Sequence, residues 1–312
     1  MAKTLDTALA VLNGAIGDYL ARTDNGLATP MELYRDGRAI SINRGSLSRA
    51  YPDATPRVAV FVPGVMCTES IWELDGGGDY GSLLARDCAI TPLYVRYNTG
   101  RAIADSGASL DALLGAVVEA YPVAIDEIVL VGFSMGGLVA RSACHLASEA
   151  GHPWLPLVKR AVYVGTPHVG APMERVGRIV ARVLHAIDDP YTRLIGQIAD
   201  LRSEGVKDLG DADLRHEDRA GQRARITLRD ARHPVPLLPQ IRHRLIAGTL
   251  AREPWLAELF GDALVPVRSA THRDAGLAAE HVRIVRGVSH LALAHHEDVY
   301  EHLRAFCEEA LP

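Results

Sequence analysis

The chain has 312 residues, 48% of them hydrophobic and 23% charged, with a formal net charge of −5. That length suits one large α/β domain or two small ones, with ample core, and the mildly acidic balance gives no sign of a nucleic-acid surface, which needs an excess of Lys and Arg. No apolar run reaches the roughly 18–20 residues of a membrane span.

The start, MAKTLDTALAVLNGAIGDYL, carries Leu5, Leu9, Leu12, Ile16 and Leu20 at helical spacing. It reads as an amphipathic helix, not as a signal peptide with a basic region and a continuous apolar stretch. The expectation is a cytoplasmic protein. Cys67, Cys88, Cys144 and Cys307 are scattered without a C-x-x-C pair. Reduced, mostly buried thiols are therefore expected, with no disulfide and no metal site.

Residues 31–42, MELYRDGRAISI, set Asp36-Gly37 between alternating residues, a strong hairpin signal. This hairpin is expected at an antiparallel edge of the sheet. RVAVFV (57–62) is a buried strand that runs into Pro63-Gly64-Val65-Met66. A glycine just past a strand end lets the backbone approach a ligand closely. Trp72 and the glycine-rich DGGGDYG (75–81) read as a surface loop, followed by a helix over about 81–87. LYVRYN (93–98) reads as a strand, and 106–120 as a helix with Leu110, Leu113, Leu114 and Val117 on one face.

Residues 126–140, DEIVLVGFSMGGLVA, organise the rest. Ile128 to Val131 is an unbroken apolar run, the mark of a strand buried on both faces. Ser134 then stands between Gly132 and Gly136 in a strand-to-helix turn, which fits a nucleophile elbow. Side chains at those two glycines would clash with the crossing backbone. The strained turn exposes the Ser134 hydroxyl at the carboxyl edge of a parallel sheet, where α/β folds bind ligands. The Met135 N–H points at the same spot from a helix N-terminus that favours negative charge. The loop after strand 57–62 supplies the complementary oxyanion donor in such sites; the N–H of Val65 is the expected one, with Met66 as the near alternative.

A helix over 138–150 leads to VKRAVYVGTPHVGAP (158–172), whose first seven residues form a strand. His168 lies too early for the order serine, acid, histidine and reads as structural or pocket-lining. Residues 172–235 read as a helical cap or lid inserted above the carboxyl edge. Within it 208–225 is dense in charge and reads as a solvated loop. RHRLIAGT (242–249) and VRIV (282–285) are the last strands, and a helix over about 295–310 ends the chain. Strands alternating with helices imply a mostly parallel sheet.

Asp262, in GDALVP, and His290, in GVSHLAL, fall in loops after the last two strands. Ser134, Asp262 and His290 thus follow the chain order of α/β-hydrolases. The chemistry needs all three. Serine is a poor nucleophile at neutral pH; His290 takes its proton and returns it to the leaving group, and Asp262 fixes the imidazole tautomer. His281 precedes its strand, at the wrong edge, while His295 and His296 belong to the last helix. Asp230 and Asp274 compete with Asp262 but lack its loop context. No H-E-x-x-H pair or similar metal spacing appears.

GFSMGG, GTPHVGAP, GDALVP and GVSHLAL together resemble the α/β-hydrolase lipase and esterase family over roughly residues 57–310. The resemblance implies an α/β-hydrolase fold in a single domain, with residues 1–50 as an N-terminal helix and hairpin extension. It implies Ser134, Asp262 and His290 as triad, Val65 and Met135 as oxyanion hole, and a small-molecule ester or lipid as substrate without a cofactor. The family's usual His-Gly before the oxyanion residue is here Pro63-Gly64. An acyltransferase using the same triad and a non-catalytic binding protein on this fold are the alternatives.

Overall fold

The computed structural model describes residues 2–168, 203–211, 235–250 and 281–311. The expected cap at 172–235 falls almost wholly outside them, as does Asp262. Eight strands make one sheet: β1 (Glu32–Arg35), β2 (Arg38–Ile40), β3 (Arg57–Val62), β4 (Thr91–Arg96), β5 (Glu127–Phe133), β6 (Val158–Val164), β7 (Arg242–Thr249) and β8 (Val282–Arg286). Their spatial order is β2-β1-β4-β3-β5-β6-β7-β8. β1 pairs antiparallel with β2 and β4, and every other pair is parallel. The Asp36-Gly37 hairpin is therefore the antiparallel edge.

Side chains alternate along the central strands, and both faces are covered. Val58, Val60 and Val62 of β3, with Ile128 and Leu130 of β5, meet Leu110, Leu114 and Leu138 from α4 (Ile103–Ala120) and α5 (Met135–Ala150). Ala59, Phe61, Val129 and Val131 point the other way, into a layer with Leu84 of α3 (Tyr80–Cys88) and Phe306 of α7 (Glu297–Glu308). α7 is fastened under the amino edge of the sheet. Buried Arg160 donates to the Glu127 carboxylate and to the Phe306 carbonyl, 2.9 Å away. Arg57 bridges Glu127 and the Cys307 carbonyl at 2.7 and 2.8 Å. All four cysteines are free thiols. Among the described residues no helix is long and apolar enough to cross a membrane.

Several expectations are corrected. α1 (Ala2–Arg22) forms, but Leu5 is 71% exposed, and the buried positions are Val11, Asn13, Gly14, Ala15, Gly17 and Leu20. Close approach of its backbone to the domain, not a leucine stripe, chooses this face. Trp72 is fully buried, its ring packed against Phe61, Tyr80 and Phe133, so only the turn beyond it faces solvent. α2 (Arg44–Ala50), capped by Asn43, follows the hairpin. Residues 208–211 are not a solvated loop but the end of α6 (Glu204–Asp211). Asp208 is buried and accepts from the Ile103 N–H at 2.9 Å, capping α4, whose own N-cap residue Ala102 has no side chain to do so. His295 ends a 3-10 turn over Leu291–His295, and His296 is the N-cap of α7.

Candidate active site

Each glycine of the elbow has a steric reason. A Cβ on Gly132 would lie 2.5 Å from the Gly137 Cα, and one on Gly136 would run into the Val62 carbonyl and stop 2.6 Å from that of Pro63. The turn is therefore closed against the end of β3. Ser134 takes φ +50° and ψ −121°, a conformation that L-residues hold only when the surroundings enforce it. Its amide donates to the Val164 carbonyl at 2.8 Å, which ties the turn to β6. Ser134 Oγ is buried and has no hydrogen-bond partner among the described residues.

The loop after β3 comes close to the same atom. A Cβ on Gly64 would lie 3.0 Å from the Ser134 Cβ. Residues 64–67 form a turn in which the Cys67 N–H donates to the Gly64 carbonyl at 3.2 Å and Met66 holds φ +60°. Turns of this kind ordinarily place glycine at that third position. The Met66 N–H donates to Thr99 Oγ1 at 3.0 Å, so this amide is engaged, and Val65 is left as the loop's candidate donor. Burial pushes the Cys67 thiol up to about 12. Its Sγ lies 3.3 Å from the Val65 carbonyl, and a neutral thiol of this kind is no rival nucleophile.

His290 follows β8 and is fully buried. Its ring centroid lies 5.1 Å from that of Phe133, the residue before Ser134. Gly165, at φ +62° just past β6, makes room for the ring: a Cβ there would lie 3.0 Å from Cε1 and 3.2 Å from Nδ1. Strands β5, β6 and β8 thus bring Ser134, Met135 and His290 to one edge, and β3 brings Val65. Asp262 lies outside the described residues.

The rival histidines are placed elsewhere. His281 precedes β8 at its amino end. His296 Nδ1 accepts from the Asp298 amide, and the His295 ring lies beside the Ile71 carbonyl. His168 has its Nδ1 3.0 Å from buried Arg141 and its ring edge-on to Tyr163. No cluster of potential metal ligands occurs among the described residues. Sequence reasoning missed Thr99 and Gly165. Gly165 could have been found as a glycine ending a core strand; Thr99 carries no local signal.

A cavity of about 350 Å³ lies beside the loop after β3, with Met66, Cys67, Ile71, Leu74 and Leu291 in its wall alongside Glu73 and Asp75. A larger one, about 810 Å³, lies near the hairpin around Tyr34, Tyr94 and Arg96, and neither cavity is lined by Ser134 or His290.

Across residues 59–302 the chain matches the model of the Alpha/beta hydrolase family, and it belongs to that family. Among solved structures it is similar to the mature form of the Bacillus licheniformis lipase BlEst2. That match has 17% identity and a TM-score of 0.52, and covers 80% of this chain and 91% of that one. It is also similar, at 13% identity and a TM-score of 0.44, to a lipase-esterase related protein from Clostridium acetobutylicum, covering 81% of this chain and 96% of that one. The RedJ thioesterase of Streptomyces coelicolor gives 17% identity and a TM-score of 0.49 over 83% of this chain and 92% of that one. No curated protein matches the chain. The fold is the α/β-hydrolase fold.

Proposed function

We propose that the protein is a serine carboxylic-ester hydrolase that cleaves apolar acyl esters through an acyl-enzyme. The observation that carries this reading is the strained Ser134, its hydroxyl buried without a partner among the described residues, one position from the ring that packs on His290. Strain and an unsatisfied buried hydroxyl both cost stability, and a catalytic role accounts for both.

In this mechanism Ser134 Oγ attacks the ester carbonyl carbon as His290 takes the hydroxyl proton. The carbonyl π bond breaks and its electron pair goes to the oxygen, which the Val65 and Met135 N–H groups receive. Collapse of the tetrahedral adduct expels the alcohol, protonated by His290, and leaves the acyl group on Ser134. Water, deprotonated by His290, then repeats the sequence and releases the acid. Asp262 holds the imidazole in the tautomer that accepts from Ser134 and stabilises the imidazolium. The Ile71, Leu74 and Leu291 side chains of the 350 Å³ cavity favour a small apolar group of the ester, although Glu73 and Asp75 also line it; this volume is at the low end for ligand pockets.

The test is p-nitrophenyl ester hydrolysis by Ser134→Ala, with fluorophosphonate labelling of the parent protein. Loss of turnover, and labelling that maps to Ser134, are expected. Full activity in Ser134→Ala would end the proposal.

A further inference from the structure

We propose that Thr99 is a positioning residue for the oxyanion loop, and that α1, which precedes the family-matched region, is the buttress that holds it there. The inference rests on the reading of Val65 as an oxyanion donor. Met66 follows Val65 and sits at φ +60°, where a methionine is strained. A turn of this kind needs something outside itself to keep it. Thr99 Oγ1 accepts the Met66 N–H at 3.0 Å, and Thr99 is 1% exposed. With that amide fixed, the Val65–Met66 peptide plane is fixed, and the turn closed by the Cys67 N–H on the Gly64 carbonyl then restricts the preceding plane, which carries the Val65 N–H.

Thr99 is itself held from behind. Asn98 accepts from the Gly100 N–H at 3.1 Å and donates to the Gly17 carbonyl of α1 at 2.8 Å. That carbonyl lies one residue past a break in α1, where Ile16 takes φ −135° and ψ 22°. α1 approaches so closely that a Cβ on Gly14 would sit on the Met66 side chain and 3.1 Å from Thr99 Oγ1. A Cβ on Gly17 would overlap the Asn98 side chain. The Gly14 carbonyl in turn accepts from Ser203 Oγ at 2.7 Å, at the start of α6. The loop is thus gripped between a hydroxyl on one side and a helix backbone on the other.

The matched family region begins at residue 59, so Thr99 lies inside it and the helix half of this grip comes from outside it. A residue that orients a transition-state donor changes kcat and leaves substrate affinity alone. One that only stabilises the fold changes the melting temperature and leaves turnover of the folded enzyme alone.

The experiment compares Thr99→Val, which removes the acceptor, with Thr99→Ser, which keeps it, on a p-nitrophenyl ester. The assay temperature is well below the melting point of each variant. Thr99→Val is expected to lose roughly tenfold or more in kcat at nearly constant KM, since a whole oxyanion donor is worth on the order of a hundredfold to a thousandfold. Thr99→Ser is expected to recover most of that loss. Gly14→Ala presses on Met66 from the helix side and is expected to lower kcat likewise, and it decides the matter should Thr99→Val not fold. A Thr99→Val enzyme with parental kcat, beside an inactive Ser134→Ala, overturns the positioning role while the triad reading stands. An active Ser134→Ala overturns that reading, and the role of Thr99 with it.

Discussion

One chemical change, glycine to alanine, should have opposite effects at two positions of this chain. Gly132 lies inside β5 with an ordinary extended backbone, so an alanine there has no dihedral strain to bear. Its Cβ, however, would lie 2.5 Å from Gly137 Cα, 2.6 Å from Gly137 N and 2.9 Å from the Gly136 carbonyl carbon, all backbone atoms. No side chain can rotate away, so α5 must move off the sheet or β5 must leave its register. Overpacking in cores typically costs about 1–3 kcal/mol even where side chains can give; here about 3 kcal/mol or more is expected. Gly115 lies mid-helix in α4, where a Cβ would meet only Trp154 Cδ1 at 3.9 Å, an ordinary contact. Replacing a helix-interior glycine with alanine gains about 0.5–1 kcal/mol. At about 2 °C per kcal/mol for a chain of this size, Gly115→Ala should melt about 1–2 °C above the parent and Gly132→Ala about 6 °C or more below it.

The assay is thermal unfolding followed by far-UV circular dichroism, with ester turnover measured on the fraction that stays folded. Gly132→Ala should also lose turnover there, because the elbow that holds Ser134 cannot close around the added methyl. A Gly132→Ala protein that melts with the parent and keeps its turnover would refute the steric account of the elbow. A lowered melting temperature for Gly115→Ala would refute the reading of α4.

Three further outcomes are expected. Asp262→Asn should lower kcat by on the order of ten-thousandfold, whereas Asp230→Asn and Asp274→Asn leave it near the parent value; parental turnover by Asp262→Asn would remove it from the triad. Ile71→Trp should narrow the 350 Å³ cavity and steepen the loss of kcat/KM with acyl length, by about 0.8 kcal/mol per excluded methylene; an unchanged chain-length profile would place the acyl group elsewhere. His243, stacked on Tyr163 and bonded to the Leu238 carbonyl at 2.9 Å, is held down to about 4 by burial. The unfolded chain then binds the extra proton first, so this stability is complete above the unfolded value of 6.5 and is lost as pH falls towards 4. At about 1.36 kcal/mol per pKa unit the full loss is about 3 kcal/mol, and urea titrations should show His243→Gln escaping it; an identical pH slope in the two proteins would contradict this.

What could be read in the sequence follows from where each physical requirement lies. The strands 158–164 and 242–249 are legible because burial on both faces demands the apolar runs Ala161–Val164 and Leu245–Ala247, even though basic residues precede both runs within the strands. The elbow is legible because its crowding is local: Gly132, Gly136 and Gly137 crowd atoms within a few residues or at the neighbouring strand end. The requirements behind α1, Asp208 and Thr99 are not local. A helix that must approach by its backbone hides its packed face in Gly14 and Gly17, which a search for apolar bulk passes over in favour of an exposed Leu5. Asp208 looks like surface charge until the uncapped start of α4, 105 residues earlier in the chain, is brought to it. Thr99 is one hydroxyl among many until the Met66 amide needs an acceptor. The strained atoms of the proposed site are thus encoded nearby in sequence, while the contacts that keep them strained come from distant segments. It follows that substitutions in α1 should change turnover without touching a reacting group, and that a copy of the elbow alone, placed in another α/β protein, should not carry the activity with it.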